Sequence, residues 1–222
     1  MIISNERLDT VRAINIDEHR TFCAYAYWEA AFPEGNYLAR HVALIKNALG
    51  PDFTRTELVT FYRRTDIQAE TKFVAAMIWG HEAPAGSRRD SRGPWKLSKM
   101  FADPDATQAA IRSVSVGTSE EIVSAYKLLD KTLDRCGPNF FTKHFYFTGK
   151  AQGHSPYPLI FDDRVANGLV KIASSNHSDL GFIRVSAARK PEAYLEYLTF
   201  AQREAHRIGC ELDQIEYYLF NL

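Results

Sequence analysis

Apolar residues recurring at three- and four-residue steps constrain this chain more than any other feature. Ile122, Tyr126, Leu129 and Leu133 form one such stripe, Tyr194, Leu198, Ala201, Ala205 and Ile208 a second, and Leu212, Ile215 and Leu219 a third. The spacing puts each set on one face of an α-helix, so each helix needs a partner on which to bury that face. Thr54-Arg-Thr-Glu57 and Thr118-Ser-Glu-Glu121 fit the capping box, in which the Thr hydroxyl and the Glu carboxylate satisfy first-turn N–H groups reciprocally. Asp103-Pro104 and Lys190-Pro191 place Pro where a helix needs no N–H, and Gly50-Pro51 and Gly137-Pro138 read as stops. These signals predict helices near 17–31, 35–48, 55–65, 68–79, 104–114, 119–135, 140–148, 162–174, 191–208 and 211–220. Little room is left for a sheet, and only Gly181–Ser186 has strand-like character. The expected fold class is all-α.

Composition removes several alternatives. Hydrophobic residues make up 45% of the 222, with only 12 Gly and 9 Pro, so the chain is neither disordered nor low-complexity. The 27 basic and 27 acidic residues cancel, so polyanion binding would have to come from local clusters. The longest purely apolar run, Phe73 to Trp79, falls far below the roughly 20 residues of a membrane span, so no membrane partner is expected. The first residues lack a basic segment followed by an apolar one, and three widely spaced cysteines suggest no disulfide framework or zinc site. A reducing cytoplasm is the expected compartment. His144, His154 and His177 lack metal-ligand spacing, and no metal or cofactor is called for.

Chemistry concentrates where one amphipathic helix gives way to the next. Cys136-Gly-Pro-Asn-Phe-Phe-Thr-Lys143 follows the 119–135 helix and delivers a lysine into the first turns of its successor, a helix–hairpin–helix arrangement. Nineteen residues later, Leu159-Ile-Phe-Asp-Asp-Arg-Val165 places Asp162 at another helix start. Taken singly, a lysine is usually solvated and a helix-start aspartate usually a cap. Taken together they offer a nucleophile and a carboxylate. Packing that strips water from an ammonium favours the neutral, nucleophilic amine, and a carboxylate at a helix N-terminus stays ionised.

F-F-T-K followed by the aspartate of L-I-F-D-D-R-V resembles the helix–hairpin–helix DNA glycosylases of the 8-oxoguanine glycosylase (OGG) type, most closely the compact bacterial OGG-fold proteins. The motif-bearing match spans about 133 to 170, with support from Met77-Ile-Trp-Gly80 and from Asp213–Phe220. The resemblance implies one glycosylase-like unit over 1–222, with a central helical subdomain at about 52–158, a second formed by 1–51 plus 159–222, and the active cleft between them. It places the attack on the sugar C1′ on Lys143 and stabilisation of the developing positive charge on Asp162, with Asp163 the alternative should the register slip by one. It implies a duplex DNA partner carrying a modified or damaged base, contacted by Gly137, Asn139 and Thr142 of the hairpin and by a basic set of Arg88, Arg89, Arg92, Lys150 and Lys171. Phe145, Tyr197 and Gln202 are the candidates to frame an extruded base, with core packing the favoured reading of the aromatic rings. The hairpin departs from the family in carrying Asn139, Phe140 and Phe141 where small residues usually precede the T-K pair, and Phe141 adds bulk where backbone would approach a phosphate. Two other functions fit the same residues: a catalytically silent nucleic-acid-binding module, and an enzyme acting on an unusual nucleobase or nucleobase conjugate. Family-level association with bacterial anti-phage operons suggests partners from such an operon.

Overall fold

A computed structural model describes residues 3–81, 92–175 and 190–222. Among them run twelve α-helices: α1 (Leu8–Arg12), α2 (Tyr25–Ala31), α3 (Ala39–Leu49), α4 (Arg55–Arg63), α5 (Ala69–Gly80), α6 (Arg92–Met100), α7 (Pro104–Arg112), α8 (Ser119–Thr132), α9 (Pro138–Ala151), α10 (Asp163–Ser175), α11 (Pro191–Ile208) and α12 (Leu212–Phe220). Two three-residue strands, β1 (Arg20–Phe22) and β2 (Asp52–Thr54), form a small antiparallel ladder. The fold is all-α. The strand-like Gly181–Ser186, together with Arg88, Arg89 and His177, lies outside the described residues.

Local chemistry accounts for most boundaries. Both capping boxes form, with Thr54 accepting from the Glu57 N–H and Thr118 from the Glu121 N–H. Asp103 caps α7 ahead of Pro104, and α3 ends at Gly50, whose φ of 71° is the left-handed conformation glycine tolerates. Three expectations change. The 17–31 helix is broken into a 3-10 turn at Ile16–Glu18, strand β1 and α2, because Arg20 to Phe22 pair with β2. Helix α6, absent from the expected set between 79 and 104, forms across Gly93-Pro94: Pro94 sits in the first turn, which tolerates it, and Gly93 admits the Trp28 ring so closely that a Cβ would lie 2.9 Å from it. Gly137-Pro138 starts α9 rather than stopping α8, with Gly137 as N-cap and Pro138 in the first turn.

Helices α5 and α9 cross the centre and pack on one another, flanked by α3, α4 and α7 on the α5 side and by α4 and α8 on the α9 side. Both are buried nearly all round, through Phe73 to Trp79 on α5 and Phe140 to Phe147 on α9. Helix α12 packs against α10, α11 and α1. The α10–α12 contact is so close that a Cβ on Gly168 would run into the Leu219 carbonyl. That approach brings the end of α12 beside the start of α10.

Candidate active site

Threonine 142 sets the geometry of the site. Its hydroxyl donates to the Pro138 carbonyl (2.5 Å) and accepts the Phe161 N–H (3.0 Å), tying the α9 start to the extended segment before α10. The residues one step onward, Lys143 and Asp162, are thereby placed opposite one another. The Lys143 Nζ lies 3.3 Å from Asp162 Oδ2 and donates to the Asn139 carbonyl at 2.5 Å. Asp162 Oδ1 accepts the Arg164 and Val165 N–H groups, both at 3.1 Å, as the N-cap of α10. One carboxylate oxygen is thus a cap and the other faces the lysine. Burial opposes ionisation of Asp162, but the Lys143 ammonium and the two cap N–H groups outweigh it and hold the carboxyl below its ordinary range. Asp163, one residue on, is exposed.

The segment carrying Asp162 is pinned from behind. Tyr194 donates to the Leu159 carbonyl (2.6 Å) and Tyr197 to the Ile160 carbonyl (3.1 Å), and the Tyr197 ring stacks on Phe161 at 4.6 Å.

Lys143 and Asp162 open onto a cavity of about 190 Å³ that is also bordered by His19, Arg55, Trp79, Gly80, Arg164, Glu216 and Phe220. Larger cavities of about 370 and 390 Å³ exist elsewhere, yet neither contains this pair. The β ladder builds the far wall. Arg20 pairs with Thr54, so His19 and Arg55 flank the end of the ladder, and the Arg55 Nε–H donates to His19 Nδ1 at 3.0 Å. Arg55 is fully buried and grips both oxygens of Glu216, at 2.5 and 2.9 Å. Burial alone would disfavour the Arg55 cation; Glu216 and Tyr146 outweigh it and raise its affinity for the proton. At the mouth the Arg164 guanidinium lies 3.7 Å from the centre of the Phe220 ring.

The other expected site residues disperse. Thr142 is fully buried as a brace, Asn139 contributes its carbonyl to the lysine, and Gly137 caps α9. The left-handed residue of the hairpin is Arg135, with φ 60°, rather than a glycine. The Phe141 ring turns inward onto Tyr126 and Phe145. Phe145 and Tyr197 are fully buried away from the cavity lining, and Gln202 borders the separate 390 Å³ cavity beside α8 and α11. Lys150 pairs with buried Asp213 and lies over the Tyr157 ring rather than near the hairpin. Lys171 donates to the Leu222 carbonyl. Arg92 is exposed at the start of α6, whose Lys96 lies 4.2 Å over the Phe140 ring and whose half-exposed Trp95 meets Arg135.

Among the lining residues, His19, Arg55, Trp79, Arg164, Glu216 and Phe220 were missed as individuals by sequence reasoning. Glu216 carried a signal: a carboxylate directly beside Ile215 and Leu219 on an amphipathic helix implies a buried partner.

A family model described as "Putative 8-oxoguanine DNA glycosylase OGG-like protein" matches residues 14–220. No curated protein and no solved structure matches the chain. No described helix is long and apolar enough to cross a membrane.

Proposed function

The chain belongs to the OGG-like family, and on that premise we propose that it is a DNA glycosylase in which Lys143 attacks the sugar and Asp162 supports the attack. The observation that carries the reading is the 3.3 Å approach of a buried lysine to a capped carboxylate at the edge of a cavity. The neutral amine forms a bond to C1′ as the glycosidic C–N bond breaks, and the base leaves with that electron pair. Ionised Asp162 opposes the cation developing on the sugar, and once the C1′–N bond has formed it relays a proton from the lysine nitrogen to the departing base. The resulting imine to the opened sugar also permits strand cleavage, the lyase step.

The cavity walls come from both proposed subdomains, Trp79, Gly80 and Lys143 from the central one and His19, Arg164, Glu216 and Phe220 from the other. That supports a cleft reading of the two-part division. Duplex DNA would lie on the face formed by the hairpin and α6, where Arg92, Lys96 and Lys99 recur at helical steps beside Trp95 and Arg135. A basic patch on a neutral protein binds phosphate with strong salt dependence.

The test is an excision panel: duplexes bearing oxidised, deaminated, alkylated or hypermodified bases, incubated with wild-type protein and with Lys143→Gln. Release of one base class by wild type alone supports the proposal. Equal release by Lys143→Gln overturns the assignment of the nucleophile.

A further inference from the structure

The cavity that Lys143 borders is also lined by a polar group that the excision chemistry does not use. The His19 ring is fixed on three sides by aromatic rings, with centroids 4.7 Å from Trp79, 4.9 Å from Tyr217 and 5.4 Å from Phe220. Its Nδ1 receives the Nε–H of Arg55 at 3.0 Å, and Arg55 is locked in turn by two bonds to Glu216. A guanidinium Nε–H is only a donor, so Nδ1 must be unprotonated and the neutral ring carries its hydrogen on Nε2. No described residue accepts that Nε2–H, and the ring borders the cavity shared with Lys143 and Asp162. Burial, with the Arg55, Arg164 and Lys143 cations outweighing Asp162, pushes the ring's pKa down to about 3, which keeps this tautomer neutral at ordinary pH.

Both carboxylates at the cavity are already engaged, Asp162 by Lys143 and two N–H groups and Glu216 by Arg55. The lining polar groups for which no described residue is a hydrogen-bond partner, His19 Nε2, the Trp79 indole N–H and the Arg164 guanidinium, are all donors. Resting on the glycosylase reading, we propose that His19 Nε2–H is a specificity-determining donor, held in place by Arg55 and Glu216, that selects a base edge presenting a carbonyl oxygen or an unprotonated ring nitrogen. A base with a hydrogen at that position meets N–H against N–H, and an analogue lacking the acceptor leaves the donor unpaired.

Two substitutions separate this role from a structural one. His19→Gln keeps an N–H at about the reach of Nε2 and loses the acceptor for Arg55. His19→Asn keeps an acceptor near the Nδ1 position and loses the reach. Each is combined with Lys143→Gln to prevent turnover. Binding is measured for the panel duplex that the wild-type enzyme excises and for the same duplex with a tetrahydrofuran abasic site in place of that base. The proposal predicts that preference for the base-bearing duplex falls about 10- to 100-fold with His19→Asn and clearly less with His19→Gln, while tetrahydrofuran-duplex affinity stays constant. The reverse order, or a change within twofold in both, overturns the donor assignment and leaves the glycosylase reading standing. Failure to bind or excise any panel duplex overturns both.

Discussion

The Arg55–Glu216 and Lys143–Asp162 ion pairs border the same cavity and differ in burial and in how tightly they are joined. Arg55 and Glu216 side chains are 1% and 0% exposed, joined by two short bonds, and the guanidinium also faces the Tyr146 ring at 5.2 Å. Lys143 and Asp162 are 8% and 15% exposed and share a single 3.3 Å contact. A bidentate, sealed pair fixes geometry and cannot react. A monodentate pair at a cavity edge can part, leaving the carboxylate held by its helix cap while the amine turns to a substrate. On the proposed function, opposite charges serve as scaffold in one pair and as chemistry in the other.

The largest expected effect comes from breaking the sealed pair. Glu216→Gln leaves Arg55 charged without its partner, and unfolding in urea should show a loss of about 3–5 kcal/mol. Replacing both, with Arg55→Met and Glu216→Leu, should recover much of that loss. A single-substitution loss below about 1 kcal/mol would erase the distinction between the two pairs. The reactive pair should behave in the opposite way. Asp162→Asn keeps a good N-cap and should cost under about 1 kcal/mol of stability, yet excision should slow about 10²- to 10³-fold as the charge facing the sugar is lost. Single-turnover rates beside a urea melt would check both halves.

Acid should weaken the sealed interior first. Burial pushes the pKa of His19 down to about 3, of His41 to about 4 and of His144 to about 3. Each ring is neutral when folded but takes up a proton in the unfolded chain below about pH 6.5, so stability falls as pH falls. By pH 5 each should cost about 2 kcal/mol, visible as a falling urea midpoint between pH 7 and 5. Asp162 acts in a lower window: its depressed pKa contributes stability that is lost only as pH drops through the acid range below about 4. The smallest effect tests how finely the lysine is placed. A Cβ at Gly80 would lie 2.8 Å from Lys143 Cδ and 3.0 Å from Cε, so Gly80→Ala should displace the flexible side chain rather than the fold. Excision should fall about tenfold with little change in melting.

The Lys143–Asp162 pair was far more legible in the sequence than the Arg55–Glu216 pair. Lys143 and Asp162 sit in one contiguous stretch of chain, each announced by a helix start, and Thr142 joins their flanks with local bonds. The sealed cluster is assembled from His19, Arg55 and Glu216, the latter two 161 residues apart, through a three-residue ladder too short to leave an alternating pattern. Helices with strong stripes and caps, such as α8 and α11, matched their periodicity. Helix α6 did not, because Gly93 and Pro94 look like loop residues until the Trp28 ring is seen against Gly93. Aromatic residues on α9 and α11 fit core packing better than a base frame, and Phe145 packs in the core while Tyr197 braces the Asp162 segment. Residue type alone does not distinguish a ring facing a cavity from one filling the interior.

Borohydride trapping tests the central claim most directly. Reaction of the protein with its excised panel duplex in the presence of borohydride should yield a permanent protein–DNA crosslink, and peptide mapping should place the modified residue at Lys143. Lys143→Gln should give neither crosslink nor base release while still binding the duplex. A crosslink mapped to Lys96 or Lys150, or undiminished excision by Lys143→Gln, would contradict the account.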